Sequence, residues 1–263
     1  MAQLSKVQIV VVTCNEQRKQ LLTEQLKTLM ISISFTFFEG YTPQTSTSYM
    51  VDRDTICAES DGTLCCMRSH AGAIDFFVRE FTDKEYLLIL EDDAALIKTF
   101  ESELVHIIDR LEKHGHEIDF VNLSYSNNIQ PHTAEKRNKM LFWNLSQNFW
   151  GTTAYLVKRD VAVKMASVLH QPTSKDLRLS FDKYIQNELR GKSYADKHPR
   201  LQSDALLSIG WRQAVVFPVM VVEISTNSLI TPKYNNIQLG VWEHVFTNGF
   251  RKKEEFYNIP ISK

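Results

Sequence analysis

Three consecutive carboxylates, Glu91, Asp92 and Asp93, directly follow a run of apolar residues at positions 86–90. The apolar run is typical of a buried strand, so the acidic side chains would lie where that strand ends. Negative charges this close repel one another, and a hard cation bound by carboxylate oxygens, with a diphosphate as a further ligand, is a usual solution. Ligands of α/β sheets also bind at the carboxyl ends of strands. A plain acidic turn, with an aspartate capping the next helix, explains the same residues without a ligand.

The elements that must position these carboxylates alternate along the chain. Apolar runs predict strands at 7–12, 35–38, 86–90, 118–123 and 151–157. Apolar residues at helical spacing predict helices at 16–30, 61–81, about 100–111 and 160–169. This alternation predicts an α/β fold with a mostly parallel sheet flanked by helices.

Other segments carry weaker signals. Asp160 is well placed as the N-cap of its helix, the polar residues 124–139 are predicted to form a surface loop, and the proline-interrupted residues 215–222 suit an edge or bulged strand. We expect one domain over residues 1–263, with a C-terminal tail from about residue 230 packed on it.

The composition gives no support to several classes of protein. The chain has 263 residues, a net charge of −1 and 43% hydrophobic residues, so no global field recruits nucleic acid or an anionic membrane. The four cysteines, Cys14, Cys57, Cys65 and Cys66, show neither the spacing of a zinc knuckle nor the density of a disulfide scaffold. The first apolar run is too short to span a membrane and carries no secretory cleavage pattern, so we expect no transmembrane segment and a cytoplasmic protein.

Several segments together resemble one family. Residues 62–70 are similar to the Gly-x-x-Gly-Cys-x-x-Ser-His block of glycosyltransferase family 25, which includes lipooligosaccharide and collagen galactosyltransferases. Residues 90–94 resemble its acidic block, 150–157 its Gly-Thr-x-x-Tyr-Leu strand, and 37–41 an early strand end with glycine. The order and spacing agree over roughly residues 7–230. The chain departs from the family at its opening, where only Thr13 to Arg18 correspond, and at Cys65, which replaces the second glycine.

The resemblance implies a GT-A-like fold with a Rossmann-type sheet and an inverting transfer from a UDP-sugar to a glycan or glycoprotein acceptor. It also implies Mn²⁺ or Mg²⁺ held by Asp93 and Glu91, with Asp93 the more direct ligand, and Asp182 as the general base. Glu188 and Asp204 are our reserve candidates for the base. The implied donor- and nucleotide-binding residues are Thr13, Asn15, Arg18, Gly40, Ser69, His70, Glu91, Asp92, Trp150, Gly151 and Thr152.

Structural roles compete with several of these assignments. His70 and Trp150 are also explained as core residues, Asp182 as a helix cap, and the residues after the first strand as turn and capping chemistry. The basic segment 190–200 would either close over the diphosphate or form a solvated loop.

Two functional classes follow from the sequence. The first is a metal-dependent hexosyltransferase that uses a UDP-sugar, with galactose or glucose as the transferred sugar. The alternative is a non-catalytic nucleotide- or carbohydrate-binding module that keeps the same fold. A nucleotidyltransferase would also use carboxylates and a metal, but the chain has no glycine-rich phosphate loop of that kind.

Overall fold

The computed structural model describes residues 3–29, 32–42, 61–114, 118–124, 135–137, 140–142, 152–169, 212–216, 219–223 and 252–256. Trp150, Gly151, Asp182, the reserves Glu188 and Asp204, and the basic segment 190–200 lie outside these ranges. The described strands are β1 Val7–Thr13, β2 Phe35–Glu39, β3 Tyr86–Glu91, β4 Ala94–Leu96, β5 Phe120–Asn122, β6 Glu135–Arg137, β7 Met140–Phe142, β8 Ala154–Lys158, β9 Gln213–Val216 and β10 Val221–Glu223. The described α-helices are α1 Glu16–Leu29, α2 Asp61–Glu80, α3 Phe100–His114 and α4 Arg159–Leu169.

The main sheet has eight strands in the order β2-β1-β3-β8-β5-β9-β7-β6. β1 pairs in parallel with both β2 and β3, and β5 pairs in parallel with β9. β8 is antiparallel to β3 and β5, and β7 is antiparallel to β9 and β6. Only β7 and β8 are therefore reversed, and six of the eight described strands run in one direction. The predicted α/β fold with a mostly parallel sheet is confirmed.

Helices cover both faces of the sheet. Successive side chains of β1 point to opposite faces, so alternate residues pack against different helices. Ile9 and Val11 pack in one hydrophobic cluster with α1 and α3, where Leu22 and Leu104 are fully buried. Val10 belongs to the second cluster, with residues of α2 and α4. Burial of each such side chain contributes about 1.5–3 kcal/mol, so both faces of the central strands are strongly held. This explains why the apolar runs are continuous rather than alternating.

A small antiparallel sheet of β4 and β10 lies beside the main one. Ile97, just after β4, forms a bridge with Phe256, whose side chain is 2% exposed and part of the first hydrophobic cluster. The described residues 252–256 are therefore attached to the body of the domain by backbone and core contacts.

Some local predictions from the sequence are wrong. Glu135–Arg137 in the predicted loop forms β6, because its backbone pairs with β7. Residues 215–222 overlap two separate strands: β9 lies between β5 and β7 rather than at an edge, whereas β10 is an edge strand of the two-stranded sheet with β4. Asp160 is the second residue of α4, where its charge favours the first turn, and is not the N-cap. Among the helices that are described, none is long and apolar enough to cross a membrane.

Candidate active site

The carboxyl ends of β1, β2 and β3 meet at one edge of the sheet because these strands are parallel. Thr13 at the end of β1 is in register with Glu39 on β2, and Val12 with Glu91 on β3. The three carboxylates that follow β3 are thus brought beside the chain that follows β1. This is the edge at which α/β folds bind ligands.

Asp92 joins the ends of β3 and β1. Its Oδ2 accepts hydrogen bonds from Thr13 Oγ1 at 2.8 Å, from the amide of Cys14 at 3.0 Å and from the amide of Asn15 at 3.3 Å. The Asp92 side chain is only 8% exposed. Three donors on one buried carboxylate oxygen make Asp92 a rigid anchor for the turn after β1.

Arg18 is aimed at the acidic run by the start of α1. Asn15 caps this helix, since its Oδ1 accepts from the amides of Gln17 at 3.0 Å and Arg18 at 3.2 Å. The guanidinium Nη1 of Arg18 lies 3.2 Å from Asp93 Oδ2 and 3.5 Å from Asp92 Oδ1. Asn15 therefore has the structural capping role that the sequence left open, and it places a positive charge beside two carboxylates.

Asp93 is the least satisfied of the three carboxylates. Its side chain is 8% exposed, and its buried Oδ1 has no hydrogen-bond partner among the residues that the structure describes. Burial and the negative charge of Glu91 raise the pKa of Asp93 to about 8, although the charge of Arg18 opposes this shift. An unpartnered buried carboxylate oxygen is costly, so this atom is a ready acceptor for a cation.

Glu91 points into a separate group of side chains. Its Oε1 lies 3.1 Å from His70 Nε2 and accepts a hydrogen bond from the hydroxyl of Thr152. His70 Nδ1 lies 2.9 Å from the Tyr155 hydroxyl, and the two rings are stacked. Burial acts to raise the pKa of Glu91, but the contacts with His70 and Thr152 prevail and hold it below its usual value. Glu91 is therefore held as a carboxylate.

Ser69 and Gly40 connect α2 to the end of β2. Ser69 Oγ accepts from the amide of Tyr41 at 2.7 Å and donates to the carbonyl of Cys65 at 2.7 Å. A Cβ on Gly40 would lie 3.1 Å from the same Oγ and 2.6 Å from Cys14 Sγ. Only glycine fits this close approach. Ser69 therefore supports the loop after β2, whereas its neighbour His70 reaches Glu91.

The structure brings together two of the residues that the family resemblance assigns to donor binding, His70 and Thr152. His70 and Thr152, which are far apart in sequence, both contact Glu91. Tyr155 and Cys66 were not among the predicted site residues, yet the Tyr155 hydroxyl orients His70 and Cys66 Sγ lies 3.8 Å from Thr152 Oγ1. Tyr155 is the tyrosine of the Gly-Thr-x-x-Tyr-Leu pattern, and this was the signal that could have revealed it.

We expect Gly40→Ala to destabilise the fold by about 1–3 kcal/mol, because the new methyl group overlaps Cys14 Sγ and forces the turn after β1 to move. Urea unfolding measures this change in the free energy of unfolding. In the double variant Cys14→Ala/Gly40→Ala the sulfur is gone, so the combined loss should be smaller than the sum of the two single losses. Additive losses would show that the overlap is relieved elsewhere.

Comparison with known proteins defines the class of this protein. Residues 5–185 match the model of glycosyltransferase family 25, described as LPS biosynthesis protein. The chain is thus a glycosyltransferase, and the α/β fold with its acidic strand end agrees with this class. It belongs to glycosyltransferase family 25.

Two solved structures are similar to the chain at low identity. One is a glycosyltransferase involved in the glycosylation of the major capsid of PBCV-1, with 12% identity, a TM-score of 0.47, and coverage of 89% of this chain and 98% of that one. The other is a protein from STIV, with 12% identity, a TM-score of 0.40, and coverage of 82% and 83%. No curated protein matches the chain significantly. The family assignment rests on the sequence match over residues 5–185.

Proposed function

We propose that the protein is a metal-dependent inverting hexosyltransferase that moves galactose or glucose from a UDP-sugar to a glycan or glycoprotein acceptor. The observation that carries this proposal is Asp93, whose buried Oδ1, at the ligand-binding edge of the sheet, lacks a hydrogen-bond partner within the described part of the chain. A glycosyltransferase must neutralise the diphosphate that leaves the donor sugar, and an unsatisfied carboxylate here fits that requirement.

The carboxylate ligands Asp93 and Glu91 suit Mn²⁺ or Mg²⁺, which prefer oxygen atoms. Asp93 would hold the ion through Oδ1. Glu91, the second expected ligand, engages its Oε1 with His70 and Thr152, so a bond from that oxygen requires exchange of these contacts. When bound, the cation would stabilise the negative charge of the departing diphosphate.

The remaining residues of this edge would orient the donor. Arg18 lies beside Asp93 and Asp92, and its planar guanidinium is suited to pair with phosphate oxygens. Asp92 would keep the turn after β1 in place, because its carboxylate accepts from Thr13 and from two backbone amides.

The proposed general base, Asp182, would take the proton of the acceptor hydroxyl as that hydroxyl attacks the sugar carbon.

A panel of nucleotide sugars, tested for thermal stabilisation with and without Mn²⁺, examines this function. We expect a UDP-hexose to raise the melting temperature only when Mn²⁺ is present, because a ligand that binds the folded state stabilises it by mass action. Stabilisation by a donor that is the same in EDTA would contradict the metal dependence. Slow release of UDP without acceptor would separate a working enzyme from the alternative, a non-catalytic binding module.

A further inference from the structure

A second group of potential metal ligands shares Glu91 with the acidic run, but it also contains sulfur and nitrogen atoms. Cys66 Sγ, a ring nitrogen of His70 and a carboxylate oxygen of Glu91 all lie within 4.8 Å of one another. Cys66 and His70 stand four residues apart on α2, so they share one face of the helix, and β3 brings Glu91 to that face. One ion could contact a sulfur, a nitrogen and an oxygen from this group.

The spacing of these atoms is close to that of a zinc site. Ligand atoms of a tetrahedral Zn²⁺ lie roughly 3.3–3.6 Å apart, as follows from its usual bond lengths. His70 Nε2 and Glu91 Oε1 are already 3.1 Å apart. Cys66 Sγ lies within 4.8 Å of both ligand atoms, so a side-chain rotation would bring the thiol to bonding distance of the same ion.

The surroundings of His70 are those that a metal-bound imidazole needs. A ligating histidine usually makes a hydrogen bond through its other ring nitrogen, which sets its tautomer and orientation. His70 Nδ1 lies 2.9 Å from the Tyr155 hydroxyl, and His70 is only 1% exposed. To bind an ion, Nε2 must give up its hydrogen bond to Glu91 Oε1 and present its lone pair to the metal, with the ring proton on Nδ1 directed to the Tyr155 hydroxyl. Thr152, whose hydroxyl contacts both Cys66 and Glu91, closes the group on another side.

We propose that Cys66, His70 and Glu91 form a Zn²⁺ site distinct from the Mn²⁺ or Mg²⁺ position at Asp93. A thiolate, an imidazole and a carboxylate together favour Zn²⁺, whereas the oxygen of Asp93 favours a hard ion. On binding, the Cys66 thiol releases its proton to solvent and the sulfur bonds the ion. The side chain of Glu91 is 20% exposed, which leaves a route from solvent. Zn²⁺ bound here would also make Glu91 unavailable to the Mn²⁺ or Mg²⁺ ion at Asp93. We therefore expect Zn²⁺ to inhibit sugar transfer.

Cobalt tests the site through its colour, without reference to catalysis. Co²⁺ replaces Zn²⁺ in such sites, and the full-length protein titrated with Co²⁺ should show a thiolate-to-cobalt charge-transfer band together with the visible bands of a tetrahedral ion. Cys66→Ser should abolish the charge-transfer band, and Cys14→Ser, the same exchange at an exposed cysteine, should retain it. Zn²⁺ should displace Co²⁺, so that the charge-transfer band and the visible bands all disappear.

Further variants probe the oxygen ligand and the contact to His70. Glu91→Gln should weaken binding of Co²⁺, and Tyr155→Phe should weaken it by about 10–100-fold, since loss of an outer partner has this effect at other metal sites. Circular dichroism of each variant confirms that it is folded. A wild-type protein without a thiolate band, or a band that survives Cys66→Ser, would overturn the proposal. Inactivity toward UDP-sugars would leave the Co²⁺ spectrum unchanged, so the two proposals fail separately.

Discussion

Asp93→Asn should lower Mn²⁺-dependent turnover of the UDP-sugar by about 100-fold or more, because it removes the carboxylate assigned to the cation that stabilises the diphosphate. Asparagine keeps the shape of the side chain and one oxygen, but it carries no charge. The fold should survive, since burial and the charge of Glu91 already disfavour the charged form of Asp93, and the amide of asparagine is uncharged as well. Donor affinity measured by calorimetry with and without Mn²⁺, together with steady-state rates, determines the effect.

Asp119→Asn is the matched control for this substitution. Asp119 precedes β5 and pairs with Arg212, at 2.6 Å between Oδ1 and Nη2. It lies near the start of β3, since Phe120 is in register with Val157 and Val157 with Leu87. The control therefore makes the same Asp-to-Asn exchange at the opposite end of the strands and should leave turnover unchanged. If Asp93→Asn binds the UDP-sugar with unchanged affinity and metal dependence, the metal assignment is wrong.

Asp182→Asn should reduce turnover by about 10²–10⁴-fold, the usual effect of losing a general base, with donor affinity nearly unchanged. An inverting transfer needs a carboxylate that takes the proton of the acceptor hydroxyl. The acidic run is already engaged: Asp92 holds the turn after β1, Glu91 contacts His70, and Asp93 is assigned to the cation. The base is therefore expected elsewhere in the chain, and Asp182 occupies the acidic position implied by the family resemblance.

Two measurements separate this role from a loss of folding or of donor binding. The rate at saturating donor and acceptor should fall, while the dissociation constant of the donor stays constant. Asp160→Asn, an exposed aspartate in the first turn of α4, supplies the matched control and should remain active. Full activity of Asp182→Asn together with a large loss in Glu188→Gln or Asp204→Asn would transfer the role to that reserve.

The main elements of the fold could be predicted because their signals are local. Continuous apolar runs mark β1 and β3, and their ends agree with the structure to within a residue. The amphipathic patterns of α1 and α3 were equally clear, since each helix buries one face against the sheet. The very short strands β4 and β6 were missed or taken as loop because three residues carry almost no periodicity. Their pairing depends on partners that are distant in sequence.

The sequence by itself also determined the position of the acidic run at the carboxyl end of a buried strand, because strand and carboxylates are adjacent in the chain. Only the tertiary structure determined which partners each of the three carboxylates contacts. Asp92 meets Thr13 across 79 positions, and Glu91 meets Thr152 across 61. The division of three neighbouring carboxylates into an anchor, a histidine partner and an unsatisfied acceptor follows from parallel pairing, which brings distant strand ends and α2 to one edge. No local pattern contains that information, because side-chain partners are selected by packing in three dimensions.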